Sequence, residues 1–162
     1  KTKAHYVEAM GNPRFNIPDF EGLSALAKER GITVSEVRRA SSGAFDSYIR
    51  LSIKTERQQR SVAGTVFSDG KPRVIQVKGI NMEAELAPRV LYVTNLDQPG
   101  FIGALGSVLG EHGINIASFN LGREKPGGDA ISLVSIDNEA SDAVLEEIMA
   151  LEQVMQVKQL QF

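Results

Sequence analysis

One ten-residue run, Leu91-Tyr-Val-Thr-Asn-Leu-Asp-Gln-Pro-Gly100, constrains this chain more than any other stretch. An apolar strand pattern ends in an acidic turn, and an apolar helix pattern begins directly behind it at Phe101. A second strand pattern then opens with Gly113-Ile-Asn-Ile-Ala117. Strand, turn and helix in that order put Asn95, Asp97 and a helix N-terminus at one point in space. A carboxylate beside free backbone N–H groups suits a zwitterion, because the acid holds an ammonium while the helix start holds a carboxylate. The pattern points to an amino-acid sensor rather than to a catalyst.

The rest of the composition removes other chemistries. The chain has 162 residues, 18 basic against 20 acidic, for a formal net charge of -2. That balance gives no electrostatic reason to expect nucleic acid or an anionic membrane as partner. Cysteine is absent, which excludes disulfides, thiolate chemistry and cysteine-ligated metals. No apolar stretch approaches the roughly 18 residues needed to cross a bilayer. The opening residues, Lys1 to Tyr6, carry no signal-peptide pattern, and a cytoplasmic location is expected. The two histidines, His5 and His112, lack a paired nucleophile or ligand spacing, so no catalytic residue and no metal site is expected. Gly100, Gly103 and Gly106 do not have the spacing of a dinucleotide-binding turn.

Ala87-Pro88-Arg89 marks a boundary, since proline stops regular structure and a new apolar strand follows. Residues 1–86 and 89–162 are therefore read as two domains. In the first, a helix is expected over Glu21–Arg30, with Asp19 as N-cap and Gly31 closing it. Strands are expected at 4–9, 32–37, 48–54 and 61–67, with Ile49, Leu51 and Ile53 on the buried face of the third. Asp69-Gly70 turns the chain into a hairpin with 73–77, and residues 80–86 extend the sheet. Pro13 and Pro18 argue for irregular chain at the start.

The second domain reads as strand 90–95, helix 101–112, strand 114–121, a turn at 125–128, strand 130–137, helix to Leu151 and strand 154–160. Ile102, Leu105, Val108 and Leu109 form the buried stripe of the first helix, and Ser141 or Asp142 caps the second. The order βαββαβ is ferredoxin-like. The fold class is thus α+β, a small mixed-sheet domain followed by a ferredoxin-like one. Gly103, Gly106 and Gly110 each cost about 1 kcal/mol of helix propensity. A helix that accepts them is expected to be approached closely, by a facing strand or by a subunit.

These residues carry a resemblance. Residues 89–162 resemble an ACT domain: Asp97-Gln-Pro-Gly100 matches its Asp/Asn-x-Pro-Gly turn, and Gly113-Ile-Asn-Ile-Ala117 its second-strand signature. Residues 23–86 resemble the allosteric substrate-binding domain that precedes the ACT domain in bacterial D-3-phosphoglycerate dehydrogenases. Leu26-Ala-Lys-Glu-Arg-Gly-Ile32, Ser61-Val-Ala-Gly-Thr65 and Arg73-Val-Ile-Gln-Val77 carry that likeness.

The resemblance implies L-serine bound at an ACT–ACT interface, for feedback control of an NAD-dependent enzyme of serine biosynthesis. Asp97 would accept from the ammonium. Asn95 and Asn115, the latter from the other subunit, would bond the carboxylate or hydroxyl with the N–H groups near Phe101 and Ile102. Pro99, Gly100 and Gly103 would allow close approach. Arg73 matches the first basic position of a second, anion-binding site, whose other positions are Asn81 and Glu85 here. The implied partners are serine or another small amino acid, further copies of the chain through ACT sheet edges, and the catalytic domains of a parent chain. This chain reads as a fragment that needs no cofactor and is inactive alone, NAD belonging to the parent. Other readings remain: an assembly module without ligand, the regulatory part of an iron–sulfur serine dehydratase, or a sensor of another amino acid.

Overall fold

The computed structural model describes residues 2–9, 25, 29, 48–55 and 59–162. The chain divides into two compact units, Lys1–Gly79 and Ile80–Phe162.

The first unit is built on four antiparallel strands in chain order: β1 (Thr2–Ala9), β2 (Ile49–Thr55), β3 (Gln59–Val66) and β4 (Pro72–Val77). The turn from β3 to β4 is short, with Gly70 at φ 80° and its N–H donating to the Phe67 carbonyl. Glycine fits there because a side chain at positive φ is strained. The β2 alternation predicts Leu51 on a buried face, but Leu51 is 39% exposed. It stands opposite Val62, itself 37% exposed, so each covers only part of the other across the ladder. Of the helix expected over 21–30, only Ala25 and Glu29 are described, both helical and exposed. The expected Asp19 cap, the irregular stretch around Pro13 and Pro18 and the strand at 32–37 lie outside the described residues.

The second unit runs β5 (Ile80–Glu85), β6 (Arg89–Leu96), α1 (Phe101–Glu111), β7 (Ile116–Arg123), β8 (Asp129–Ile136), α2 (Asp142–Met149) and β9 (Val154–Gln161). From β6 onward this is the expected βαββαβ order. The sheet order is β7-β8-β6-β9, all antiparallel, so β7 and β9 are its edges. Alternation sends Leu91, Val93, Val134 and Ile136 to one face, where they meet Leu105, Leu109, Val144 and Ile148 of the helices. Side chains of this size stabilise by roughly 1.5–3 kcal/mol each when fully buried. β5 packs against β7 and β8, where a Cβ at Gly122 would lie 2.6 Å from the Asn81 carbonyl oxygen. Only glycine allows that approach.

Three local details depart from the expected ones. The buried stripe of α1 is Phe101, Leu105, Val108 and Leu109, and Ile102 is 57% exposed. The helix begins immediately after Gly100, so position 101 turns inward onto Phe119, ring centroids 6.4 Å apart, and 102 turns about 100° away. β7 begins at Ile116 rather than 114, because Gly113 (φ 66°) closes the helix: its N–H donates to Gly110 O and that of Ile114 to Leu109 O. Finally, a Cβ at Gly103, Gly106 or Gly110 would meet nothing within 4 Å among the described residues. None of the described strands approaches α1 at these glycines, which overturns that half of the expectation. Ser141 is the cap of α2, its Oγ accepting from Val144 N at 3.4 Å.

Candidate functional site

The end of β6 and the start of α1 come together with the β7–β8 hairpin. Asp97 is held at three points: its N–H donates to Gly128 O (2.9 Å), and its Oδ2 accepts from Arg123 Nη1 (2.9 Å) and from Gly127 N (3.1 Å). The sheet register explains the meeting, since Asn95 stands opposite Ala130 and Ala130 opposite Arg123. The hydrogen bond from Arg123, then that from the Gly127 N–H, holds the Asp97 carboxyl below the usual carboxylate range. Asp97 is therefore ionised at neutral pH and is paired with the Arg123 cation.

Directly behind it, α1 starts without a side-chain cap. Gly100 is the N-cap at φ 92°, and no acidic residue lies in the first turn. The first N–H groups of a helix have no intrahelical partner, so this end keeps its donors and its partial positive charge. Pro99, Gly100 and Gly103 are exposed around it, while the Phe101 side chain is buried beneath.

Asn95 lies at the same end but faces inward. It is 0% exposed; its Nδ2 donates to Leu96 O (2.9 Å) and its Oδ1 accepts from Ser132 Oγ (3.3 Å). Burial demands that both ends of the amide be satisfied, and the chain itself satisfies them. Asn115 lies at the opposite end of the sheet. Its Nδ2 donates to Asp137 Oδ2 (2.8 Å) and its carbonyl accepts from Asp137 N (3.2 Å). Seven residues along β8 separate that level from Ala130, roughly 23 Å at about 3.3 Å per residue. One copy of the chain thus brings Asn95, Asp97 and the α1 N-terminus together, and does not bring Asn115 to them.

Arg73 is engaged by Asp69: Nη2 meets Oδ2 at 2.6 Å and Nη1 meets Oδ1 at 3.3 Å, with the guanidinium 4.4 Å over the Phe67 ring. His112, expected at a helix end, has its Nε2 2.7 Å from Glu147 Oε2 on α2. Among the described residues no cluster of acidic or histidine groups is arranged for a metal, and no helix is long and apolar enough to cross a membrane. Sequence reasoning missed Arg123 and Gly127. The hairpin turn at 125–128 is legible, but which of its residues meets Asp97 depends on the pairing of β8 with β6 as well as with β7.

Comparison with known proteins matches two stretches of the chain. Residues 22–78 match the D-3-phosphoglycerate dehydrogenase intervening domain, and residues 89–153 match the ACT domain. The chain is 31% identical over 133 residues to a D-3-phosphoglycerate dehydrogenase of Bacillus subtilis, covering 82% of this chain and 25% of the relative. It is 35% identical over 122 residues to that of Synechocystis, covering 75% and 22%, and 29% identical over 132 residues to that of Methanocaldococcus jannaschii, covering 82% and 25%. The chain spans about a quarter of the length of these relatives. Neither matched domain is a catalytic or nucleotide-binding one. With an intervening domain and an ACT domain in that order, the chain belongs to the regulatory region of the D-3-phosphoglycerate dehydrogenase family.

Proposed function

We propose that this chain is the effector-sensing part of a cytoplasmic, NAD-dependent D-3-phosphoglycerate dehydrogenase, and that it binds L-serine between two copies of the domain beginning at Arg89. The observation that carries this reading is the pairing of Asp97 with the uncapped start of α1. One group attracts an ammonium and the other a carboxylate.

The position of Asn115 supports the use of two copies. β7 is an edge strand, and antiparallel pairing with the β7 of a second copy runs Asn115 of one toward the Arg123 end of the other. The open space at Gly103, Gly106 and Gly110 is compatible with the approach of a subunit. Buried Asn95 acts by anchoring the end of β6 rather than by touching ligand. Arg73, closed by Asp69, belongs to an anion site only if that pair opens. Serine bridging two copies would favour one relative orientation, and a coupling of about 1–3 kcal/mol to the catalytic domains of the parent chain would suffice for inhibition.

Calorimetric titration with L-serine, using glycine and D-serine as controls, tests this. Saturable L-serine binding that Asp97→Ala removes is the expected result. One observation favours a second reading, an assembly module without ligand: Asp97 already has partners in Arg123 and Gly127. A folded dimer giving no heat with any amino acid would establish that alternative.

A further inference from the structure

We propose that Arg123 is the carboxylate-holding residue of the effector site, acting as a pair with Asp97. The inference rests on the amino-acid reading above and deepens it, because it adds a residue that sets which ligands the site accepts. The pair is unsaturated on both sides. Asp97 uses Oδ2 for both of its side-chain bonds, and Oδ1 has no hydrogen-bond partner among the described residues. Arg123 uses Nη1 alone, whereas a guanidinium carries five N–H donors in a planar fork. Its side chain is 53% exposed, against 20% for Asp97, so the remaining donors face solvent at the rim while the carboxylate sits deeper.

Two opposite charges 2.9 Å apart, each with free valence, match the two charges of an α-amino acid. The ligand ammonium takes Asp97 Oδ1, and the ligand carboxylate takes the free edge of the guanidinium, which adds to the N–H groups at the start of α1. Arginine suits the second task, because its fork fits a carboxylate with two parallel bonds. The Gly127 N–H on Oδ2 keeps the carboxyl in place while Arg123 turns toward the ligand. The contrast with Arg73 is instructive: there the carboxylate takes two guanidinium nitrogens and the ring of Phe67 covers the fork.

The test compares L-serine with L-serinamide, which keeps the ammonium and lacks the carboxylate, on the full 162-residue chain by calorimetry. Arg123→Gln is expected to weaken L-serine by about tenfold or more, the range of a charge-assisted hydrogen bond. L-serinamide should change by less than about twofold, since it loses no such bond. Arg123→Lys should restore part of the loss, because it keeps the charge without the fork. Arg123 is exposed, and far-ultraviolet circular dichroism checks that each variant is folded. If Arg123→Gln binds L-serine as well as the original chain, or up to about fivefold tighter as expected from removing a mere competitor for Asp97, the proposal is overturned. The amino-acid site itself survives that result if Asp97→Ala still abolishes binding. If the original chain binds neither probe, the effector reading fails and this proposal falls with it.

Discussion

Each unit of the chain holds an aspartate–arginine pair, and the two pairs differ in what they leave open. Asp69 and Arg73 are four residues apart across the β3–β4 turn. The guanidinium engages both carboxylate oxygens, the Lys71 N–H adds a bond to Oδ1 at 2.9 Å, and the Phe67 ring covers the guanidinium. Asp97 and Arg123 are 26 residues apart and meet through one oxygen and one nitrogen. The same two residue types thus make a closed turn clasp in one place and an open, dipolar rim in the other. Capacity for a ligand follows from the geometry of a pair, not from its charges.

The two units also differ in burial. Leu105 in the second is 0% exposed, whereas Leu51 in the first is 39% exposed. Leu105→Ala should cost about 2–5 kcal/mol of the second unit's stability, by transfer and cavity terms together. Urea unfolding with amide exchange read on β6 and β8 measures it. Leu51→Ala should cost under about 1 kcal/mol, and an equal loss would remove the difference in burial between the two sheets.

The pairs themselves come next. Asp97→Ala should weaken L-serine by about 100-fold, the upper range of a lost charge-assisted bond and enough to remove saturable binding from the titration. Asp69→Ala should leave it within about twofold, because that pair is closed. Equal effects of the two substitutions would erase the distinction between open and closed pairs.

Gly122→Ala tests the packing beside Arg123. Its Cβ would sit 2.6 Å from the Asn81 carbonyl oxygen, so backbone must shift. A loss of about 1–3 kcal/mol is expected from overpacking, read as a lower urea midpoint with unchanged slope.

The smallest effect is on pH. Both carboxyl groups are held below their ordinary value of 3.8, Asp69 chiefly by Arg73 and Asp97 chiefly by Arg123. A depressed folded value means that the linked stabilisation is present above pH 3.8 and is lost as pH falls through the folded value. Carboxyl-carbon chemical shifts should follow that order. Arg123→Gln should raise the Asp97 midpoint toward 3.8 and leave that of Asp69 unchanged.

Much of the second unit was legible because its signals are local. Apolar periodicity, the Asp97–Gly100 turn, Gly113 and the Ser141 cap each act within a few residues, and all appear where the strand and helix patterns change. Phe101 rather than Ile102 is buried although the helix starts where expected, because both positions flank the 105/108/109 stripe about 100° apart and only Phe101 meets Phe119. Leu51 stayed exposed because alternation tells which residues share a face, not what covers that face.

The sequence by itself determined the order of elements, the acidic turn before a helix, and a composition without cysteine chemistry. Tertiary structure alone decided which of the polar residues stay available. The register of β6, β8 and β7 carried Arg123 to Asp97 and Asn115 to the far end of the sheet. The pleat turned Asn95 inward, where burial required its amide to bond within the chain. Period and propensity act over a few residues, whereas neighbours across a sheet are set by strand pairing over dozens. A side chain's freedom to meet a ligand depends on which of those neighbours reached it first.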